Sequence, residues 1–400
     1  MRMFTRSVAA IAALSLLAAA CGGDDTAGDP LAQSEPAGDE TDDTDDDVEG
    51  EEEGAEDEPG ELGDDAVGVD EESADLLGAG ATFITPLMLE WIRDNEPGIN
   101  VNYQSIGSGG GIAQFLEETV DFGSSERYLT DEEVADAEEI RGCEAIHIPD
   151  AFGAVVTAYN DPDLDAALEA AGQDAIVLDA DTIAGIYLTE ITSWDDPAIA
   201  ELNPDVELPS TALIPVHRSD GSGTTYIFTT YLDDENEQWA EEIGNGSEVD
   251  WPAGTIGGNG NEGVAAETQQ QPGAVGYLSI AYAIENDIPM AAVLNADGNA
   301  IHPSVESVAE GPQTILDDIP EDFRYDILGV GGDGFPIVGT HWILAWECGY
   351  EDATADALKD FLRWAVTDGD DLAEDLLYSP VGGDFEGRVL DEIERINSAE

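Results

Sequence analysis

The sequence predicts an α/β protein. Two observations point there. Short apolar runs of strand length end in glycine- and hydroxyl-rich turns, and the turns open into runs with helical spacing. The chain also has 400 residues with 42% apolar content, enough for two or three units with cores of their own. Forty-four glycines and 26% charged residues fit a globular chain better than a fibre.

The charge balance excludes whole classes of partner. There are 91 acidic residues against 11 basic ones, a formal net charge of -80, and Lys359 is the single lysine. Without a basic stripe nothing can displace counterions from a nucleic acid, and the same field opposes adsorption to anionic lipid. Three cysteines exclude a disulfide-dense scaffold and a four-cysteine zinc site. The four histidines, His147, His217, His302 and His341, show no metal-ligand spacing, so neither a metal nor a cofactor is expected.

The first twenty residues read as an export signal. Arg2 and Arg6 precede the apolar stretch Val8 to Ala20, which is too short to span a bilayer. The stretch ends Leu17-Ala18-Ala19-Ala20-Cys21-Gly22-Gly23, which resembles a bacterial lipobox, with Ala18 where leucine is usual. The resemblance implies lipidation of Cys21 and attachment to the outer face of the cytoplasmic membrane by two acyl chains. An ordinary cleaved signal beside an incidental cysteine is the alternative.

Residues 21–75 read as a tether. From Gly22 to Asp75 there are 25 acidic residues and no lysine or arginine. Such a segment repels itself and cannot bury enough apolar surface to offset its chain entropy, so it is expected to be disordered and extended. An acidic calcium-binding tract lacks EF-hand spacing. The remainder, 76–400, still carries 66 acidic and nine basic residues, or -57. Acidity on that scale with so little lysine suggests solubility in high salt, where screening relieves self-repulsion.

Ile99 to Ile106 alternates as a strand and runs into Gly107-Ser108-Gly109-Gly110-Gly111, with a helix expected to start at Ile112. Val120 to Gly123 reads as a second strand, ending at Ser124-Ser125-Glu126. Strands are expected at Ile146–Ile148 and again at Ala154–Tyr159, ending at Asn160. Ala212 to His217 leads into Arg218-Ser219-Asp220-Gly221-Ser222-Gly223-Thr224-Thr225, and then a helix with Ile227, Phe228, Tyr231 and Leu232 on one face. Gly78-Ala79-Gly80-Ala81-Thr82-Phe83 precedes a helix expected near Pro86. Each of the three turns places hydroxyls and bare N–H groups at a helix N-terminus, a geometry that suits an oxyanion. Each also has a plainer reading, a serine or threonine N-cap beside a reversing glycine.

Taken together, those turns resemble the high-affinity phosphate-binding proteins of bacterial phosphate ABC transporters. The resemblance rests on Gly78 to Phe83, Val101 to Gly111, Thr119 to Gly123 and Asp220 to Thr224. It extends to Ile186-Tyr187-Leu188, Trp194-Asp195-Asp196, Leu202-Asn203-Pro204 and Pro272 to Tyr277. It implies a two-lobed periplasmic-binding-protein fold of type II with a doubly crossed hinge. Lobe I would comprise 76–159 and 336–400, and lobe II 160–335, with inorganic phosphate held between them. Implied ligand contacts are Thr82, Phe83, Ser108, Glu126, Arg218, Ser222, Gly223 and Thr224, with Asp220 orienting Arg218. An Arg218–Asp220 pair lying on the surface would contribute little. The family has an aspartate where this chain has Glu126. A carboxylate there accepts the proton retained by phosphate and penalises sulfate, which retains none. Glutamate keeps that chemistry one methylene further out, or else points away and leaves Arg127 or Tyr128 to rearrange the site.

The family also implies a monomer that delivers phosphate to permease subunits and their ATPase, with no catalysis. Competing readings are a receptor or sensor for arsenate, sulfate or molybdate, and a phosphate-ester hydrolase using Ser108 or Ser222. No Gly-x-Ser-x-Gly elbow supports the hydrolase. Cys143 and Cys348 flank two expected strands, and a disulfide between them is feasible if those strands are antiparallel neighbours in an oxidising compartment.

Overall fold

A computed structural model describes residues 75–399. The expected signal peptide (1–20), Cys21 and the tether as far as residue 74 lie outside the described residues, as does residue 400. Twelve strands occur among the described residues. They are β1 (Leu76–Gly80), β2 (Val101–Ser105), β3 (Phe122–Ser125), β4 (Ala145–Asn160), β5 (Val177–Leu178) and β6 (Ile214–Arg218), followed by β7 (Ile256–Gly258), β8 (Ala274–Ser279), β9 (Ala292–Leu294), β10 (Ala300–Ile301), β11 (Val338–Trp346) and β12 (Ser379–Pro380). The main sheet runs β2-β1-β3-β11-β4-β8-β6-β7, with β12 also on β4, and β10-β9-β5 form a smaller sheet. Helices fill most of the connections, so the α/β class expected from the sequence is the class observed.

The organising element is β4. Fifteen of its 16 residues are buried. Along Ala145–Ala154 it pairs with β11, and along Val155–Asn160 with β8, antiparallel in both cases. One strand thus serves two halves of the sheet, and its partner changes between Ala154 and Val155. On one side β1 lies parallel to β2 and β3; on the other β6 lies parallel to β7 and β8. The sequence predicts two separate strands here, Ile146–Ile148 and Ala154–Tyr159, where the fold has one continuous strand. In the fold Pro149 sits where a proline is tolerated, at a register irregularity. Ala151 faces His341 and Pro149 faces Trp342, so Asp150 is the extra residue of a bulge.

Three helices carry the turns that the sequence singled out. Thr85–Asp94 has Pro86 in its first turn, as expected. Ser108–Leu116 starts four residues earlier than expected, inside the glycine run. Glycine in a helix costs about 0.5–1 kcal/mol relative to alanine. Here it permits contact that a side chain would block, because a Cβ on Gly111 would fall 2.6 Å from the Ala79 carbonyl oxygen. Gly223–Glu235 buries Ile227, Phe228, Tyr231 and Leu232, the face that the spacing marked out. The expected strands differ from β2, β3 and β6 by about two residues at their ends, the usual uncertainty of such boundaries.

Cys143 stands two residues before β4 and Cys348 two after β11, and the antiparallel register sets Ala145 opposite Trp346. Their Cα atoms are 6.1 Å apart and the sulfurs are joined, closing a separation of 205 residues. Closing so long a loop restricts the unfolded chain, and about 2–4 kcal/mol is typical for such bridges. The double substitution Cys143→Ser with Cys348→Ser is expected to lower stability in urea by that amount. Thiol alkylation of the denatured, unreduced protein should label neither residue. A stability equal to that of the parent, or full labelling without reductant, would count against the bridge.

Candidate anion-binding site

Parallel α/β sheets present the C-terminal ends of their strands, and the helix starts that come after them, on one edge. In this chain β1 leads to Thr82 and Phe83, β2 to Ser108, and β6 to Arg218 through Thr224. A fourth unit of the same kind, not singled out in the sequence, runs from β7 through Gly258-Asn259-Gly260 into the helix Gly260–Gln270. The four turns come from both halves of the sheet and touch one another.

Two helix N-termini meet directly. Ser108 Oγ accepts from the backbone N–H of Gly223 at 3.0 Å, and the N–H of Gly109 donates to the Gly221 carbonyl at 3.0 Å. Asn261, from the fourth turn, ties the first turn to the third. Its Nδ2 donates to Thr82 Oγ1 at 2.8 Å and to Thr224 Oγ1 at 3.1 Å, while its Oδ1 accepts from the Ser279 N–H at 2.9 Å. Arg218 Nη1 reaches Thr224 Oγ1 at 3.3 Å. Its Nε and Nη2 grip Asp220 at 2.9 and 2.5 Å, and the Gly260 N–H donates to the same carboxylate at 3.0 Å. This is a buried fork rather than a surface pair, since the Arg218 side chain is 1% exposed.

Among the described residues, the backbone N–H groups of Thr82, Phe83, Ser108 and Thr224 find no protein acceptor. All four residues are buried. Buried unpaired donors are rare and costly, and four in adjoining turns at helix starts favour a bound anion. Ser222 contributes less than the resemblance implies. Its Oγ caps the helix by accepting from the Thr225 N–H, and its own N–H goes to the Ser247 carbonyl, so only the hydroxyl hydrogen is left to offer. The carbonyls of Thr82 and Phe83 are fixed by the hydroxyls of Tyr282 and Tyr378.

Glu126 points inward. It is 1% exposed, and its Oε2 accepts from Ser108 Oγ at 3.1 Å. Arg127 turns away to bond Glu133 at 2.7 and 2.8 Å, and the Tyr128 hydroxyl donates to Asp326. Of the two arrangements left open by the sequence, the structure therefore has the one in which Glu126 reaches the turns. Burial pushes its carboxyl up to about 7, against the pull of His341, the Ser108 hydrogen bond and Arg218.

Sequence reasoning missed Asn261, Ser124, Asp150 and His341. Asn261 carried a legible signal, the run Gly257-Gly258-Asn259-Gly260-Asn261-Glu262-Gly263, built like the other three turns. The other three meet through the bulge in β4 and have no local signature. Among the described residues there is no histidine, cysteine and carboxylate cluster fit for a metal, and no helix long and apolar enough to cross a membrane.

The two-part sheet with convergent helix starts, four unpaired N–H donors and one acid is the arrangement of a binding protein of the periplasmic type, and its donors suit a small oxyanion. The model of the PBP superfamily domain matches residues 48–369. The phosphate-binding protein PstS of Xylella fastidiosa is 39% identical over 313 residues, covering 78% of this chain and 82% of its own. The PstS of Methanocaldococcus jannaschii is 35% identical over 310 residues, covering 72% and 78%. This chain belongs to the PstS family of phosphate-binding proteins. Two solved structures share the fold. A human phosphate-binding apolipoprotein has a TM-score of 0.63 at 19% identity, covering 79% of this chain and 93% of its own. The phosphate-binding protein of Stenotrophomonas maltophilia has a TM-score of 0.60 at 17% identity, covering 80% and 93%.

The contact between the two helix starts depends on Gly223. A methyl group there would lie 2.6 Å from Ser108 Oγ and 2.7 Å from Glu126 Cβ. Gly223→Ala is expected to destabilise the protein by about 1–3 kcal/mol in urea, as overpacking does. Gly382→Ala, where a Cβ meets nothing within 4 Å, serves as the neutral control. Equal effects of the two substitutions would show that the turns are not packed as described.

Proposed function

We propose that this chain is an extracytoplasmic receptor that binds inorganic phosphate between two lobes and passes it to the permease and ATPase of a phosphate importer. The lobes are 76–159 with 336–400, and 160–335. The observation that carries the reading is the company Glu126 keeps. A single buried carboxylate stands among donors from both halves, beside Ser108, Gly223 and Arg218. A site of donors alone takes any oxyanion. One added acceptor favours an anion that brings a proton of its own.

The proposed contacts are the N–H groups of Thr82, Phe83, Ser108, Gly223 and Thr224, the hydroxyls of Thr82, Ser108, Ser222 and Thr224, and the guanidinium of Arg218. Asn261 and Asp220 hold these groups in place. Ser108 and Gly223 bond each other in the structure, and on binding they would exchange that bond for the ligand. We further propose anchorage through lipidated Cys21, action as a monomer, and binding without turnover. The PstS relatives are named for binding, and that supports the last point.

Isothermal titration with phosphate, arsenate, sulfate and molybdate, in dilute and concentrated salt, tests the reading. Phosphate and arsenate, which both retain a proton near neutrality, are expected to bind with similar affinity. Sulfate and molybdate are expected to bind at least about a hundredfold more weakly, a difference of about 2.7 kcal/mol. Added salt should leave phosphate affinity nearly unchanged, because the contacts are short and the repulsion from the acidic surface is screened. Absence of phosphate binding, or a steep loss with salt, would overturn the proposal.

The acceptor role has its own pH signature. With the Glu126 carboxyl at about 7, acidification below that value protonates it and turns it into a donor. Sulfate affinity should therefore rise as pH falls from about 8 to about 6. In Glu126→Gln it should be higher throughout and flat over the same range. A wild-type sulfate affinity that does not respond to pH would remove Glu126 from this role.

A further inference from the structure

Behind Glu126 lies a buried polar chain that the binding reading does not use. His341 of β11 is fully buried, and its Nδ1 meets Asp150 Oδ1 at 2.5 Å. Its Nε2 meets Ser124 Oγ at 2.6 Å and stands 3.9 Å from Glu126 Oε1. Ser124 Oγ in turn lies 2.8 Å from the Tyr103 hydroxyl, and that hydroxyl donates to the Ala81 carbonyl at 2.8 Å.

Counting hydrogens along this chain fixes its direction. A carbonyl only accepts, so the Tyr103 proton lies on the Ala81 side. The Ser124 proton must then go to the Tyr103 oxygen, which leaves Ser124 Oγ as an acceptor toward His341. His341 Nε2 therefore carries a proton. At the other end Nδ1 faces the Asp150 carboxyl, presented by the β4 bulge; burial pushes that carboxyl up against the pull of His341, and in its ionised form it accepts. Both ring nitrogens then carry protons, and the ring is an imidazolium between two acids, Asp150 and Glu126. The order serine, histidine, aspartate is that of a hydrolytic relay. Here, however, the serine is 0% exposed and gives its hydrogen to Tyr103, so the chain ends in the protein interior.

We propose that the Asp150–His341 pair is the positioning device that keeps Glu126 an unprotonated acceptor, and so sets which protonation form of an oxyanion the site takes. The inference rests on the binding reading above and names what regulates its selectivity. Glu126 Oε1 has no hydrogen-bond partner, so nothing but a nearby charge stabilises it. The charged and titratable groups facing it are His341 from β11, Arg218 from β6, Asp150 from β4, and Tyr103 and Tyr378 from the surrounding elements. Tyr226 and Asp326 share a small cavity with it. Arg218 already grips Asp220 with two nitrogens, and Asp150 repels a second anion. Among the described residues, His341 is the one cation whose field falls on Glu126 without a closer bidentate partner. Glu126 in its turn draws the proton onto His341, and burial acts against both charges.

The test is selectivity as a function of pH. His341→Gln keeps an N–H for Ser124 and removes the charge. Asp150→Asn keeps the bulge and removes the anion that holds the charge. In the wild type the sulfate-to-phosphate affinity ratio should rise as pH falls through about 7. In both variants the rise should be centred at least about one pH unit higher, making sulfate binding about twofold tighter at pH 7 and nearly tenfold tighter at about pH 9, with phosphate little changed. Profiles that superimpose on the wild type would overturn the proposal. Wild-type protein that fails to bind phosphate would instead overturn the binding reading. A measurement independent of ligand and of variant folding is imidazole 15N NMR of the full chain. His341 is expected to hold protons on both nitrogens above the pH at which a free imidazole loses one, and a neutral ring at pH 7 would sink the idea.

Discussion

A carboxylate buried where two halves of a sheet meet constrains everything around it. Glu126 is 1% exposed, and burial of a charge must be met by donors and opposite charge or the group takes up a proton. The fold answers with Ser108 from one helix start, Gly223 pressed against the same atoms from another, Arg218 beside them and His341 behind. Each has a structural consequence. Glycine is required at 223 because a Cβ has no room. Arg218 is tied to Asp220 so that its charge stays in one place. The bulge in β4 lets Asp150 face His341.

The acidic surface makes that arrangement easier to read. Seven arginines, Arg93, Arg127, Arg141, Arg218, Arg324, Arg363 and Arg395, each pair with at least one carboxylate. Arg388 lies over the rings of Phe323 and Phe385 and donates to the carbonyls of Ile319 and Pro320. Exposed pairs of this kind add little stability. Their effect is to leave few loose cations among the described residues to draw an anion in from a distance. Attraction has to be local, and it comes from neutral N–H groups at helix starts, whose partial charges fall off within a turn. Selectivity then depends on hydrogen-bond complementarity rather than on net charge.

Much of this was legible in the sequence, for a physical reason. A helix start that grips an anion needs glycine for close approach and hydroxyl residues for donors, and those residues lie next to each other in the chain. Gly80 to Phe83, Gly107 to Gly111 and Asp220 to Thr224 announced themselves in that way. The run around Asn261 did so too, but it lacks the serine or threonine that drew attention to the others. What was not legible depends on pairing across strands. Ile146–Ile148 and Ala154–Tyr159 read as separate strands, because β11, the partner that shows them to be one, lies almost two hundred residues away in the chain. His341 looked isolated for the same reason: Ser124, Asp150 and Glu126 reach it only through the register of three neighbouring strands.

That register ties the choice of ligand to the fold itself. A one-residue slip of β11 against β4 would turn His341 to the other face of the sheet and leave Asp150 and Glu126 as two buried acids without a cation between them. Both would then bind protons, Glu126 would donate as readily as it accepts, and an unprotonated anion would no longer be penalised. The bridge between Cys143 and Cys348 lies just beyond the Ala145–Trp346 end of the same strand pair. It holds the two strands in step at the end from which the pairing runs inward to Asp150 and His341. A covalent link near the surface and a charge pair in the interior therefore protect one alignment, and the chemistry of the site depends on it.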